Sequence, residues 1–173
     1  MDIIVAKQNR LDSVAEFYHN IIDSMRNAEF RPKWEKDIYP TKEFMQDSIA
    51  NDELYVALID GQIVGAMVIN HKCEEGYNEA GWSVRADVAN IAYLHILGVS
   101  TRCQRQGIAK KMVDYAVAIC KNNGMRALRL DVLIENIPAQ KLYSGMGFVY
   151  IDTIKLFYED TGLTDFMLYE LPL

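Results

Sequence analysis

The segment that most narrows the possible folds is Leu97-Gly98-Val99-Ser100-Thr101-Arg102-Cys103-Gln104-Arg105-Gln106-Gly107-Ile108-Ala109, an apolar run that passes through a basic, glycine-containing turn into an amphipathic helix. The helix is set by period: Ile108, Met112, Tyr115, Ala116, Ile119 and Cys120 share one stripe, while Lys110, Lys111, Asp114 and Lys121 take other faces. Asn122-Asn123-Gly124 ends it, with Gly124 suited to the left-handed residue that follows a helix. The first N–H groups of a helix lack intrahelical partners and carry the positive end of its dipole, so an anion set against Gln106 to Lys110 meets free donors. Gly107 adds no side chain to block that approach. No G-x-x-x-x-G-K-[ST] or G-x-G-x-x-G run occurs, which removes the P-loop and the dinucleotide fingerprint; a ligand-free strand-turn-helix unit is the other reading of the spacing.

The remaining chain alternates strands and helices without repeats, low-complexity tracts or a linker, as one domain over residues 1–173. Ile3-Ile4-Val5 is a short strand, and Leu11 to about Ala28 a helix with Val14, Phe17, Tyr18, Ile21, Ile22 and Met25 on one stripe. Thr41 is the N-cap of a second helix. Leu54–Ile59 and Ile63–Ile69 flank Asp60-Gly61, a hairpin signal. A strand at Tyr93 to Val99 leads into the basic turn, and Phe148 to Phe157 and Leu163 to Leu171 are two closing strands. The class is α/β, in the mixed α+β sense.

Gln104-Arg105-Gln106-Gly107-Ile108-Ala109 resembles the Q/R-x-x-G-x-G/A signature of the GNAT superfamily of N-acetyltransferases. Arg129-Leu130-Asp131-Val132 followed by Asn136-Ile137-Pro138-Ala139-Gln140-Lys141-Leu142-Tyr143-Ser144-Gly145-Met146-Gly147-Phe148 resembles that family's fifth strand and its N-x-x-A-x-x-x-Y-x-x-x-G-F helix. The likeness covers about Ala92 to Val149, and the Trp34…Tyr39-Pro40 spacing resembles a widespread group of bacterial members. It departs at Arg105, where many relatives have a second Gly, and at Thr101, where many have Pro.

The resemblance implies an acyl-CoA N-acyltransferase fold: a twisted, mostly antiparallel mixed sheet of six to seven strands flanked by about four helices, with the fourth and fifth strands diverging. It implies acetyl-CoA as co-substrate and no metal. Leu97 and Val99 would offer backbone groups to the pantetheine arm beside Gly98, where a bulge or a close approach is expected. Gln104, Arg105, Gln106, Gly107, Ile108 and Ala109 would hold the pyrophosphate, Asn136 and Tyr143 would face the thioester end, and Ala139 would also belong to the cofactor site. Tyr143 takes the role of the acid that protonates the leaving sulfur; packing of the short helix is its other reading.

An amine must lose a proton before it can attack a thioester, since at neutral pH it is mostly the ammonium ion. His95, in an otherwise apolar run, is the first candidate for the base, with Glu79 and Glu135 behind it; a purely structural histidine is the alternative. The loops around residues 30–40 and 71–90 carry Trp34, Tyr39, Tyr77, Glu79 and Trp82, which either cage an ammonium group or pack the loops.

A net charge of −6 gives no basic footprint for nucleic acid. No apolar run approaches the roughly 18 residues of a membrane span, and Met1-Asp2-Ile3-Ile4 lacks a basic leader, so a cytoplasmic protein is expected. Cys73, Cys103 and Cys120 show no disulfide or zinc spacing. The favoured function is direct acetyl transfer, in a ternary complex, to a primary amine of a small molecule, amino acid or peptide. A transferase for another acyl group and a non-catalytic acyl-CoA-binding module are the alternatives, and a homodimer stays open.

Overall fold

The computed structural model describes residues 1–28 and 33–173. Its framework is one seven-stranded sheet. The strands are β1 (Asp2–Val5), β2 (Leu54–Ile59), β3 (Gln62–Asn70), β4 (Ile91–Val99), β5 (Ala127–Leu133), β6 (Val149–Tyr158) and β7 (Gly162–Pro172), in the order β1-β2-β3-β4-β5-β7-β6. Every neighbouring pair is antiparallel except β4 and β5. Four α-helices among the described residues complete it: α1 (Leu11–Met25), α2 (Lys42–Ala50), α3 (Ile108–Asn122) and α4 (Ile137–Gly145). The first helix is shorter than its apolar stripe suggests, ending at Met25 rather than near Ala28.

Local chemistry explains several boundaries. Thr41 Oγ1 accepts the Phe44 N–H at 3.0 Å and so caps α2. Asp60 and Gly61 both have positive φ, 49° and 77°, which is the turn a two-residue hairpin prefers. Gly124 at φ 72° closes α3.

Two layers cover the sheet. On one face α1 and α2 pack Val14, Phe17, Tyr18, Ile21, Met45 and Ile49 against β2, β3 and β4, and beside them the β3–β4 connection lays Tyr77 over β4, β5 and β7. On the other face α3 and α4 seat Ile108, Met112, Ala116 and Tyr143 on Met67, Leu94, Leu128 and Leu130. α3 approaches β3 so closely that a Cβ on Gly65 would collide with Met112 Sδ.

The parallel contact between β4 and β5 is brief. Ile91, Ala92 and Tyr93 pair with Ala127, Leu128 and Arg129, and beyond Tyr93 the two strands part. β4 stays on β3, although the ladder slips between Ala66 and Val68, and Ile96 in the slipped stretch has φ 47°. A β-branched residue in the left-handed region is strained, and something must hold it there. Tyr18 does so: its buried hydroxyl donates to the Ile96 carbonyl at 2.8 Å. The irregularity expected at Gly98 therefore lies at Ile96, two residues earlier. Gly98 is needed for a different reason, because a Cβ there would stand 3.0 Å from Ile21 Cδ1 and 3.3 Å from Tyr18 Cε1.

Tyr18→Phe leaves the Ile96 carbonyl without its buried donor and is expected to lower stability by about 1–3 kcal/mol in urea unfolding. An unchanged midpoint would show that the hydroxyl does not hold the bulge.

Candidate active site

Side chains on both faces of the sheet flank the place where β4 and β5 part. Tyr93 and Arg129 are the last paired couple, so two residues further on His95 and Asp131 project on the same face, across the opening from one another. Tyr143 comes from α4 on the opposite face.

His95 is held by two acceptors. Its Nε2 lies 3.0 Å from Asn70 Oδ1 and 3.1 Å from the Lys72 carbonyl, and Asn70 Oδ1 also accepts the Lys72 N–H. Both partners are oxygens, so Nε2 carries the proton and Nδ1 keeps its lone pair. Burial depresses the imidazole pKa, against a smaller upward pull from the Asp131 charge. The ring is thus neutral at pH 7.

Asp131 is the residue that sequence reasoning passed over as a strand position. Tyr77 donates its hydroxyl to Asp131 Oδ1 at 2.7 Å, and Tyr158 donates to Oδ2 at 3.3 Å. Tyr39 stacks on Tyr158 with ring centroids 5.4 Å apart. Burial, then Asp131, pushes the Tyr39 and Tyr158 hydroxyls well above their ordinary range. Three segments therefore converge on one carboxylate: the α1–α2 connection through Tyr39, the β3–β4 connection through Tyr77 and the β6–β7 hairpin through Tyr158. Among the described residues no Lys or Arg forms an ion pair with Asp131. Only contacts across distant strands could have revealed this, since the partners lie 54 and 27 positions away.

Tyr143 is 7% exposed and packs edge-on against Phe148 at 5.4 Å. Its hydroxyl has no hydrogen-bond partner among the described residues. Burial, with a lesser contribution from Asp131, raises its pKa, so the group stays protonated and able to donate.

The basic turn after β4 is built as an open cradle. Arg105 and Gly107 both have left-handed backbone, φ 62° and 75°. A Cβ on Gly107 would meet nothing within 4 Å, and Gly107, the N-cap of α3, supplies no side chain to the helix's first N–H groups. Buried Ile108 anchors the first turn, while Gln104, Arg105 and Gln106 are exposed around it. The donor set suits a diphosphate: free amides, the helix dipole and an exposed guanidinium. The β4 edge beyond Tyr93, including Leu97 and Val99, has no strand partner on the β5 side. Asn136 serves locally, its Oδ1 capping α4 by accepting the Ala139 N–H at 3.3 Å.

Other sequence candidates fall elsewhere. Glu79 is exposed and touches none of these groups. Glu135 is paired with Lys33 at 2.8 Å. Trp34 packs on Tyr18 at 5.6 Å and fills the space beside Gly98. Trp82 does take a cation, but it is the protein's own: the Arg129 guanidinium lies 4.2 Å from the ring centroid. Cys73, Cys103 and Cys120 are free thiols. Among the described residues no group of His, Cys, Asp and Glu is arranged to hold a metal, and no helix is long and apolar enough to cross a membrane.

Known proteins are similar to this chain in sequence and in fold. The chain resembles the [ribosomal protein bS18]-alanine N-acetyltransferase of Haemophilus ducreyi, 33% identical over 94 residues, or 54% of this chain and 65% of that one. It resembles the chloroplastic GCN5-related N-acetyltransferase 4 of Arabidopsis thaliana, 31% identical over 54% of this chain and 31% of that protein. The matches thus span less than two thirds of these relatives. In fold it resembles a GNAT-family acetyltransferase of Streptococcus agalactiae, with a TM-score of 0.80 at 18% identity over 99% and 95% of the two chains. It also resembles yncA of Salmonella typhimurium, solved with its cofactor acetyl-CoA, with a TM-score of 0.71 at 14% identity over 100% and 94%. The profile of the acetyltransferase (GNAT) family matches residues 19–148, well over half the sequence, and the chain belongs to that family of acetyl-CoA-dependent N-acetyltransferases.

Proposed function

We propose that the protein transfers the acetyl group of acetyl-CoA to a primary amine of a small molecule, amino acid or peptide, by direct attack with both substrates bound. The observation that carries this reading is the parting of β4 and β5 beyond Tyr93, with His95 and Asp131 on one face of the opening and Tyr143 on the other. Acetyl-CoA supplies the activated acetyl carbonyl.

The chain's residues divide the remaining work. The amides of Gln106 to Ala109 and the Arg105 guanidinium bind the pyrophosphate, and the β4 edge at Leu97 to Val99 pairs with the pantetheine arm. Asp131 draws in the ammonium group. His95 Nδ1 accepts its proton, which burial makes possible by keeping the ring neutral. Tyr143 gives its hydroxyl proton to the departing sulfur from the opposite side. An acid on one face and a base on the other keep the two protons apart. The charge around the opening is acidic, through Asp131 and Glu74, which suits an incoming cation better than an anionic acyl group such as succinyl.

Acetyl-CoA binding is read by thermal shift, where saturation a hundredfold above Kd adds roughly 2.7 kcal/mol of stability. Gly107→Asp puts a carboxylate into the cradle and is expected to abolish that shift while the protein remains folded; a full shift would remove the pyrophosphate assignment. Tyr143→Phe is expected to lower kcat by about 10²-fold with little change in acetyl-CoA affinity, whereas equal losses in both would mark a packing role.

His95 fixes the sign of the pH response. Its folded pKa is below the ordinary 6.5, so the imidazole stays neutral until the pH falls below that value. The acid limb of kcat/KM is expected to lie below pH 6.5 and to vanish in His95→Gln. The unfolded chain takes up this proton first, so stability from this group also declines as the pH falls through 6.5. An acid limb that persists in His95→Gln assigns the base to another group.

A further inference from the structure

One buried constellation has no part in the chemistry above. Arg129 on β5 and Glu170 on β7 are 7% and 0% exposed and pair Nε to Oε2 at 2.9 Å. A buried ion pair is a poor stabiliser on its own, because two charges leave water and apolar residues of equal volume often do as well. The rest of this pair's hydrogen bonds show what it holds. Glu170 Oε1 accepts the Ser83 and Val84 N–H groups at 3.0 and 3.1 Å and a short bond from the Ser83 hydroxyl. Arg129 Nη2 donates to the Val84 carbonyl at 2.7 Å. Both side chains thus grip residues 83–84 of the β3–β4 connection.

From there the contacts run to the opening. Trp82 lies over the Arg129 guanidinium, and its Nε1 donates to the Tyr77 carbonyl at 2.7 Å. Tyr77, 2% exposed, packs on Trp82 and Tyr93 and donates its hydroxyl to Asp131. Arg129 and Asp131 are two residues apart on β5 and share a face. The connection is therefore pinned to two neighbouring strands, by Ser83 and Val84 to Glu170 on β7, and by the Val84 carbonyl to Arg129 and the Tyr77 hydroxyl to Asp131 on β5.

We infer that Trp82, Arg129 and Glu170 are positioning residues that seat Tyr77 against Asp131 and so set the affinity for the acceptor amine. The inference rests on the transferase reading. None of the three touches the reacting atoms. Their effect passes through one hydroxyl, which orients the carboxylate that meets the ammonium group.

The test begins by screening the wild-type protein for CoA thiol release with 2-phenylethylamine, spermidine, L-lysine and an alanine-initiated tetrapeptide. The amine turned over fastest serves as acceptor. Trp82→Phe keeps an aromatic ring beside Arg129 and removes the N–H to Tyr77 along with one ring of the indole; Ser83→Ala removes one of four bonds to Glu170, and both are milder than breaking the ion pair. In Trp82→Phe the acceptor KM is expected to rise about three- to tenfold, the range of one lost hydrogen bond, with kcat and the acetyl-CoA KM within about twofold of wild type. Amide exchange over residues 74–84 is expected to quicken while α3 keeps its protection. An unchanged acceptor KM, or a loss shared by kcat and both KM values, overturns the positioning role and leaves the transferase reading standing. No thiol release from wild type with any of the four amines, despite a thermal shift with acetyl-CoA, counts against the transferase reading itself and removes the acceptor role with it.

Discussion

Three residue couples, Ile91 with Ala127, Ala92 with Leu128 and Tyr93 with Arg129, make up the whole ladder between the two halves of the sheet. On one side β4 follows β3; on the other β5 follows β7, with seven paired couples from Ala127 to Leu133. Past Tyr93 each strand keeps one partner and loses the other. Backbone N–H and C=O groups facing such a gap must find water or a ligand, because leaving them unpaired and buried is costly. With the transferase reading, the β4 groups beyond Tyr93 are those that pair with the amide-bearing arm of acetyl-CoA. The cradle before α3, the strained Ile96 and the His95–Asp131 couple all take their places from that divergence.

The polar groups of this region are arranged in two contrasting ways. Glu170 is buried, and its bonds are saturated by Arg129, Ser83 and Val84, so its charge is matched within the protein. Asp131, on the neighbouring strand, is met among the described residues by tyrosine hydroxyls. A hydroxyl orients a carboxylate without cancelling its charge, whereas a guanidinium would do both. The paired charges build the wall, and the carboxylate held by tyrosine hydroxyls faces the opening.

Much of this was legible in the sequence wherever local chemistry decides conformation. Asp60-Gly61, Thr41 and Gly124 each do what their residue types allow. The turn from Gln104 to Ala109 could be read because helix starts have a fixed set of free donors. The divergence of the fourth and fifth strands came from family resemblance, since no property of either strand announces it. Ile96 was invisible for a physical reason: left-handed backbone is the habit of glycine, and here tertiary contact through Tyr18 places it on a β-branched residue while neighbouring Gly98 serves close packing. Asp131, Arg129 and Glu170 read as ordinary strand positions because their partners are brought in by β7 and two connections. Trp82 could be read as part of an ammonium cage or as loop packing, and the cation it meets is the protein's own Arg129.

The two-layered architecture has a consequence for traffic. Tyr143 and the α3 cradle lie on one face of the sheet, while Asp131, His95 and the tyrosines lie on the other. With the transferase reading, the nucleotide and the amine reach a shared threshold through separate doors, and neither stands in the other's path. Acetylated product can then leave while the spent thiol is still bound, and the thiol can be exchanged without waiting for the product. On that reading, a sheet that splits along one seam leaves the two substrates free in their order of arrival and departure.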